Sequence, residues 1–103
     1  MQRFEIYNAE VHWNGCADMR PWLIVEIRPG GLLGCFPIAS QCYSGNCFPL
    51  DNDHADFPAT GLSKSCFIHD THIIEIPVAR LGRRRGCLQG PLLIDFLEFS
   101  GLR

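Results

Sequence analysis

The chain has 103 residues, 47% of them hydrophobic and 19% charged, which excludes an intrinsically disordered protein and suits one folded domain spanning residues 1–103. A formal net charge of −2 excludes attraction to nucleic acid or to an anionic membrane by the molecule as a whole, so such binding would need a local patch. No apolar run approaches the ~20 residues of a membrane helix, and the opening MQRFEIYNAE carries no apolar core for translocation, so a cytoplasmic chain with mostly reduced thiols is expected.

Residues 4–13 alternate loosely between β-favouring and polar types and predict a first strand or hairpin, with Asn14-Gly15 as a turn. Residues 22–27 predict a short apolar strand. Pro29-Gly30-Gly31 turns the chain, and residues 32–38 predict a second apolar strand at hairpin distance. Residues 40–60, rich in Pro, Gly, Asp and Asn, predict a long loop, broken by a short strand near 48–50. Strand character resumes over 62–76, with a tight bend or bulge at Asp70-Thr71. Residues 80–86 predict a basic turn. Residues 91–99 predict a helix: Pro91 suits the first turn, Leu92, Leu93, Phe96, Leu97 and Phe99 make an apolar stripe, and Gly101 ends it. Strands in hairpins followed by one helix predict a mainly β fold, a small antiparallel barrel with the helix over one opening or edge.

The blocks "RPWLIVEI", "GLLGCFPIAS", "GLSKSCFIHDTHIIEI" and "RLGRRRGCLQGPLLIDFLEFSGL" resemble, in order and spacing, those of PemK/MazF-like toxins across residues 20–100. The resemblance implies an SH3-like β-barrel with a C-terminal helix, usually a homodimer. It implies metal-independent cleavage of single-stranded RNA, restrained by an antitoxin peptide, with no cofactor. The chain departs from the pattern in a short loop before Arg20, in lacking the usual Gly-Asp start of the first strand, and at two site positions. Ala39 stands where active members tend to carry Thr, with Ser40 next to it, and Ile68 stands where some members carry Arg. The alternative expectation is therefore a non-catalytic binding module on the same barrel.

Metal-free RNA cleavage needs a base for the 2′-OH, an acid for the leaving 5′-oxygen and a cation for the phosphorane. Arg20 is the candidate cation, because guanidinium grips phosphate oxygens in pairs and keeps its charge, and Pro21 holds the backbone beside it extended. The plain alternative is an exposed charge at a strand boundary. Asp70, at the position of the family's acidic residue, is the candidate to orient a base, and Ser40 is the candidate hydroxyl. His69 and His72 are candidates for contacting substrate. In an extended chain Asp70 and His72 share a face and His69 points away. The alternative for all three is a polar turn.

Arg80, Arg83, Arg84 and Arg85 could supply a phosphate patch or a solvated turn paired with Asp95 or Glu98. Trp13, Trp22 and Tyr43 could stack on bases or pack internally. Cys35 and Cys66 lie in apolar runs and read as small hydrophobes. Cys42 and Cys47 are separated by four intervening residues, but no second close pair completes a zinc site, so no metal is expected. A disulfide there would run against a reducing compartment.

Overall fold

A computed structural model describes residues 1–43 and 45–102. Seven strands form one antiparallel sheet: β1 (Glu5–Glu10), β2 (Met19–Arg28), β3 (Leu32–Ala39), β4 (Phe48–Leu50), β5 (Cys66–Ile68), β6 (Ile74–Pro77) and β7 (Leu81–Cys87). The helix α1 (Gly90–Ser100) follows. The strand order is β4-β5-β3-β2-β1-β7, with β6 also paired to β3. β3 is where the sheet folds over: Leu32 to Cys35 pair with β6, while Ile38 and Ala39 pair with β5. The result is the small antiparallel barrel with a C-terminal helix that the strand pattern predicts. No pairing among the described residues joins its two ends, β4 and β7.

β2 reads as an unbroken apolar run because both of its faces are buried. Leu23 and Val25 enter one core cluster with Ile6, Phe36, Ile38 and Phe96. Trp22 and Ile24 enter a second with Ala9, Leu33, Cys35 and Ile76. Alternation along the strand therefore sorts side chains between two cores rather than between core and water.

On α1, Leu92 and Phe96 are one helical turn apart and are its buried pair. The Phe96 ring sits edge-on to Phe36 of β3 and Phe48 of β4. Asp56, from the acidic loop, accepts a hydrogen bond from Leu92 N–H at 3.2 Å. That loop therefore supplies the anion a helix N-terminus favours. Gly101, at φ +74, ends the helix by donating to Leu97 O.

Two expectations are corrected. The basic segment 80–86 is a strand, β7, entered through a 3-10 turn at Val78–Arg80. Three of the four arginines of this segment are bonded to partners outside α1, and Arg83 is exposed. Arg84 Nε donates to Glu5 Oε2 at 2.8 Å, and Arg85 donates to Gly61 O and Asn8 Oδ1. Arg80 donates to Glu10 O. The second correction concerns thiols. The loop from β3 to β4 brings Cys42 and Cys47 to a Cα–Cα distance of 5.8 Å, and they form a disulfide. Cys35 and Cys66 are buried free thiols, as their apolar surroundings predict.

Candidate active site

The site forms where three loops meet: the β1–β2 connection, the β3–β4 connection and the β5–β6 connection. The first carries Trp13, placed by a tight turn at Asn14-Gly15 in which Trp13 and Cys16 exchange backbone hydrogen bonds of 2.7 and 3.0 Å. Arg20 is the second residue of β2, paired with Ala9. Its guanidinium carbon lies 4.8 Å from the centre of the Trp13 ring, a cation–π contact. Its side chain is only 14% exposed, and a terminal nitrogen lies 3.7 Å from Asp18. Asp18 is 72% exposed, so that pair is weak. Arg20 Nε is buried and has no hydrogen-bond partner among the described residues. The guanidinium is thus held in place mainly by an aromatic face, and its donors are largely unspent.

The other face of this cluster is histidine. The His69 ring centre lies 4.9 Å from Trp13, edge to face, and Tyr43 stacks on His69 at 5.5 Å. His69 is buried, and its position is fixed at three points. Its backbone N–H donates to Pro37 O at 2.9 Å. Its Nε2 bonds Gln41 O at 2.8 Å. A carbonyl can only accept, so Nε2 carries the ring proton. Nδ1 then faces Cys47 Sγ at 3.5 Å. Trp13, Pro37, Tyr43, His69 and His72 line a cavity of about 250 Å³, with Asn14 and Thr71 at its rim.

The histidines overturn the expected alternation. β5 ends at Ile68, and the chain bends at residues 71 and 72 before β6, so His69 and His72 face one cavity. Asp70 lies between them in sequence but does not line that cavity. Partial burial raises its carboxyl above the ordinary value, against the opposing pull of its own backbone and of His69.

Ser40 lies elsewhere. It lines a second cavity of about 190 Å³ with Pro21, Ala39, Lys64 and Arg85. Arg20 and Pro21 are consecutive on β2, so their side chains leave on opposite faces: Pro21 lines the second cavity, while Arg20 lies over the Trp13 ring. Ile68 is fully buried in the first core cluster, where its side chain packs rather than reaching the site. The structure therefore gathers Arg20, His69 and His72 around Trp13. It sets Ser40 in the neighbouring cavity and leaves Asp70 beside His69. Among the described residues, no group of three or more His, Cys, Asp or Glu is placed to hold a metal ion.

The role of Trp13 as the support for Arg20 was hidden in the sequence. Its one signal is an aromatic residue directly before an Asn-Gly turn and seven positions before the Arg-Pro pair.

No protein-family model matches the chain. No curated protein matches it in sequence. Solved structures do match in fold. The Mycobacterium tuberculosis toxin MazF-mt6 aligns with a TM-score of 0.70 at 22% identity, over 94% of this chain and 92% of that one. An endoribonuclease in complex with its cognate antitoxin, from a mycobacterial species, aligns with a TM-score of 0.67 at 14% identity, over 100% of this chain and 95% of that one. The chain thus has the MazF/PemK-like toxin fold.

Proposed function

We propose that the chain is a toxin-type endoribonuclease that cleaves single-stranded RNA without a metal, acts as a homodimer in the cytoplasm and is restrained by an antitoxin peptide. The observation that carries this reading is Arg20. A permanent cation is held on the Trp13 face beside a cavity lined by two histidines. Two proteins of the same fold are named as a toxin and as an endoribonuclease bound to its antitoxin, which supports the same reading.

RNA carries its own nucleophile, so the protein needs only to move protons and steady charge. In this reading a base takes the 2′-OH proton, the oxygen attacks the adjacent phosphorus, and Arg20 donates to the oxygens of the phosphorane. His72, exposed at the cavity, is placed to contact the ribose. His69, with Nε2 bound to Gln41 O, serves as a wall that holds substrate. Asp70 orients this histidine pair through the β5–β6 bend. Ser40, with Lys64 and Arg85 nearby, contacts the strand in the second cavity. The positive groups there supply the local patch that the net charge does not.

A second reading is favoured by Ala39, which places a methyl where active relatives tend to carry a hydroxyl. It is a binding module that keeps the barrel without the reaction. Incubating purified protein with mixed RNA, with and without chelator, decides between them. Cleavage in both conditions is expected, with Arg20→Ala slower by about 100-fold or more. No cleavage in either condition, together with normal growth on overexpression, overturns the ribonuclease reading.

A further inference from the structure

We infer that the first cavity is a subsite for one unpaired nucleobase of a single-stranded RNA, held by Trp13, Tyr43 and His69 while its phosphodiester reaches Arg20 on the same Trp13 ring. The inference deepens the ribonuclease reading and rests on it for the identity of the strand, but the subsite is tested without any cleavage.

The first observation is size. The cavity measures about 250 Å³. That is below the ~300–1,000 Å³ of pockets for drug-sized ligands, so it suits one flat ring system rather than a stacked pair. The second is an aromatic wall that is set before any ligand arrives. His69 is buried and held by Pro37 O and Gln41 O. Tyr43 stacks on it at 5.5 Å, and Trp13 meets both rings edge to face, at 4.9 Å from His69 and 5.9 Å from Tyr43. Tyr43 nonetheless keeps 54% of its surface open to solvent. A ring backed in this way, with open surface of its own, is a platform for a base at little cost in ordering.

The third observation is where the polar groups stand. Both nitrogens of His69 face protein atoms: Nε2 bonds Gln41 O, and Nδ1 lies 3.5 Å from Cys47 Sγ. What His69 offers the cavity is therefore ring surface, not a proton. Hydrogen-bonding groups come instead from Asn14, Thr71 and His72. Stacking tolerates every base, so these three are the groups that tell one base edge from another.

Rings around a cavity also suit a quaternary ammonium. Charge argues against that occupant. The Arg20 guanidinium carbon already lies 4.8 Å from the centre of the Trp13 ring, so a second cation there would meet like charge. A nucleobase is neutral and brings an anion with it. One ribose separates base from phosphate, so a base on these rings carries its phosphodiester toward a guanidinium whose Nε has no partner among the described residues.

The test uses the full chain and strands that cannot be cleaved: short single-stranded 2′-fluoro RNA of each base, in which fluorine replaces the attacking hydroxyl, and an abasic strand of the same length. The abasic strand keeps every phosphate, so it measures charge alone. Strands with bases should bind about tenfold or more tighter than the abasic one, and the four bases should differ. They should quench tryptophan fluorescence and shield it from acrylamide, a change assignable to Trp13 because Trp22 is fully buried. Tyr43→Leu should lose most of that gain, and Tyr43→Phe, which restores the ring, should recover it. Asn14→Gly, which keeps the left-handed turn at φ 54, should even out the four bases. Base and abasic strands bound alike, or a base preference that Tyr43→Leu leaves intact, would overturn the subsite even if RNA is cleaved. So would quenching by a trimethyl-lysine peptide in place of the strands. Base-dependent binding without cleavage of ordinary RNA would uphold the subsite and count against the ribonuclease reading alone.

Discussion

Asp70 is where stability and proposed function pull apart. Partial burial raises its carboxyl from the ordinary 3.8. A raised value means that the folded state resists ionisation. Below 3.8 both folded and unfolded chains hold the proton, and the group is neutral to stability. As pH rises through the folded value, the unfolded chain ionises more readily, and folding loses free energy. Asp70→Asn should therefore raise the melting temperature near neutral pH, and the gain should vanish in acid. The same variant should slow RNA cleavage if the carboxylate orients the histidine pair. Thermal melts across pH, read beside a cleavage assay, check both halves. A variant that is less stable at neutral pH would mean that the charge is needed for folding. Glu5 shows the opposite sign. The hydrogen bond from Arg84 holds its carboxyl below the ordinary range. Its contribution is therefore present above the unfolded value of 4.5 and is lost as pH falls through the folded one.

At the scale of elements, β7 and the turn at Pro58–Thr60 press backbone against backbone. A Cβ on Gly86 would lie 2.1 Å from Ala59 O, and one on Gly61, at φ +69, would lie 1.9 Å from Arg85 O. Neither obstacle is a flexible side chain, so neither can yield without moving a strand. Gly86→Ala should cost more than about 2 kcal/mol, where Gly30→Ala, strained but in open space, should cost about 1. Urea unfolding of the two variants makes the comparison, and equal costs would show that β7 can shift. This packing also explains why β7 was hard to read. Its arginines look like a solvated turn because their partners, Glu5 and Asn8, are 79 and 77 positions away in sequence. β2 and β3 were legible because burial of both faces of β2 leaves an apolar run that local pattern detects. The helix was legible because Pro91, the Leu92–Phe96 spacing and Gly101 are all local signals.

Over the whole molecule, the two core clusters divide the labour, and that division limits what local sequence can reveal about the site. Arg20 was legible as a charge opening a strand. Its support was not, because Trp13, Tyr43 and His69 come from three loops that only the finished barrel brings together. The pairing of His69 with His72 was missed for a related reason: alternation holds only while a strand continues, and β5 ends one residue earlier. The division also makes a separable prediction. Phe96, fully buried, ties α1 to β3 and β4 through Phe36 and Phe48, all in the first cluster. Trp13 packs against the second. Phe96→Ala should therefore cost about 3–5 kcal/mol in unfolding free energy. At temperatures where the variant stays folded, it should leave Arg20-dependent cleavage and the Tyr43–His69 stack unchanged. Denaturant unfolding measures the first effect, and cleavage rates with acrylamide quenching measure the second. A site that loosens in parallel with the helix would mean that the clusters are coupled through β2 and that α1 helps to hold the guanidinium in place.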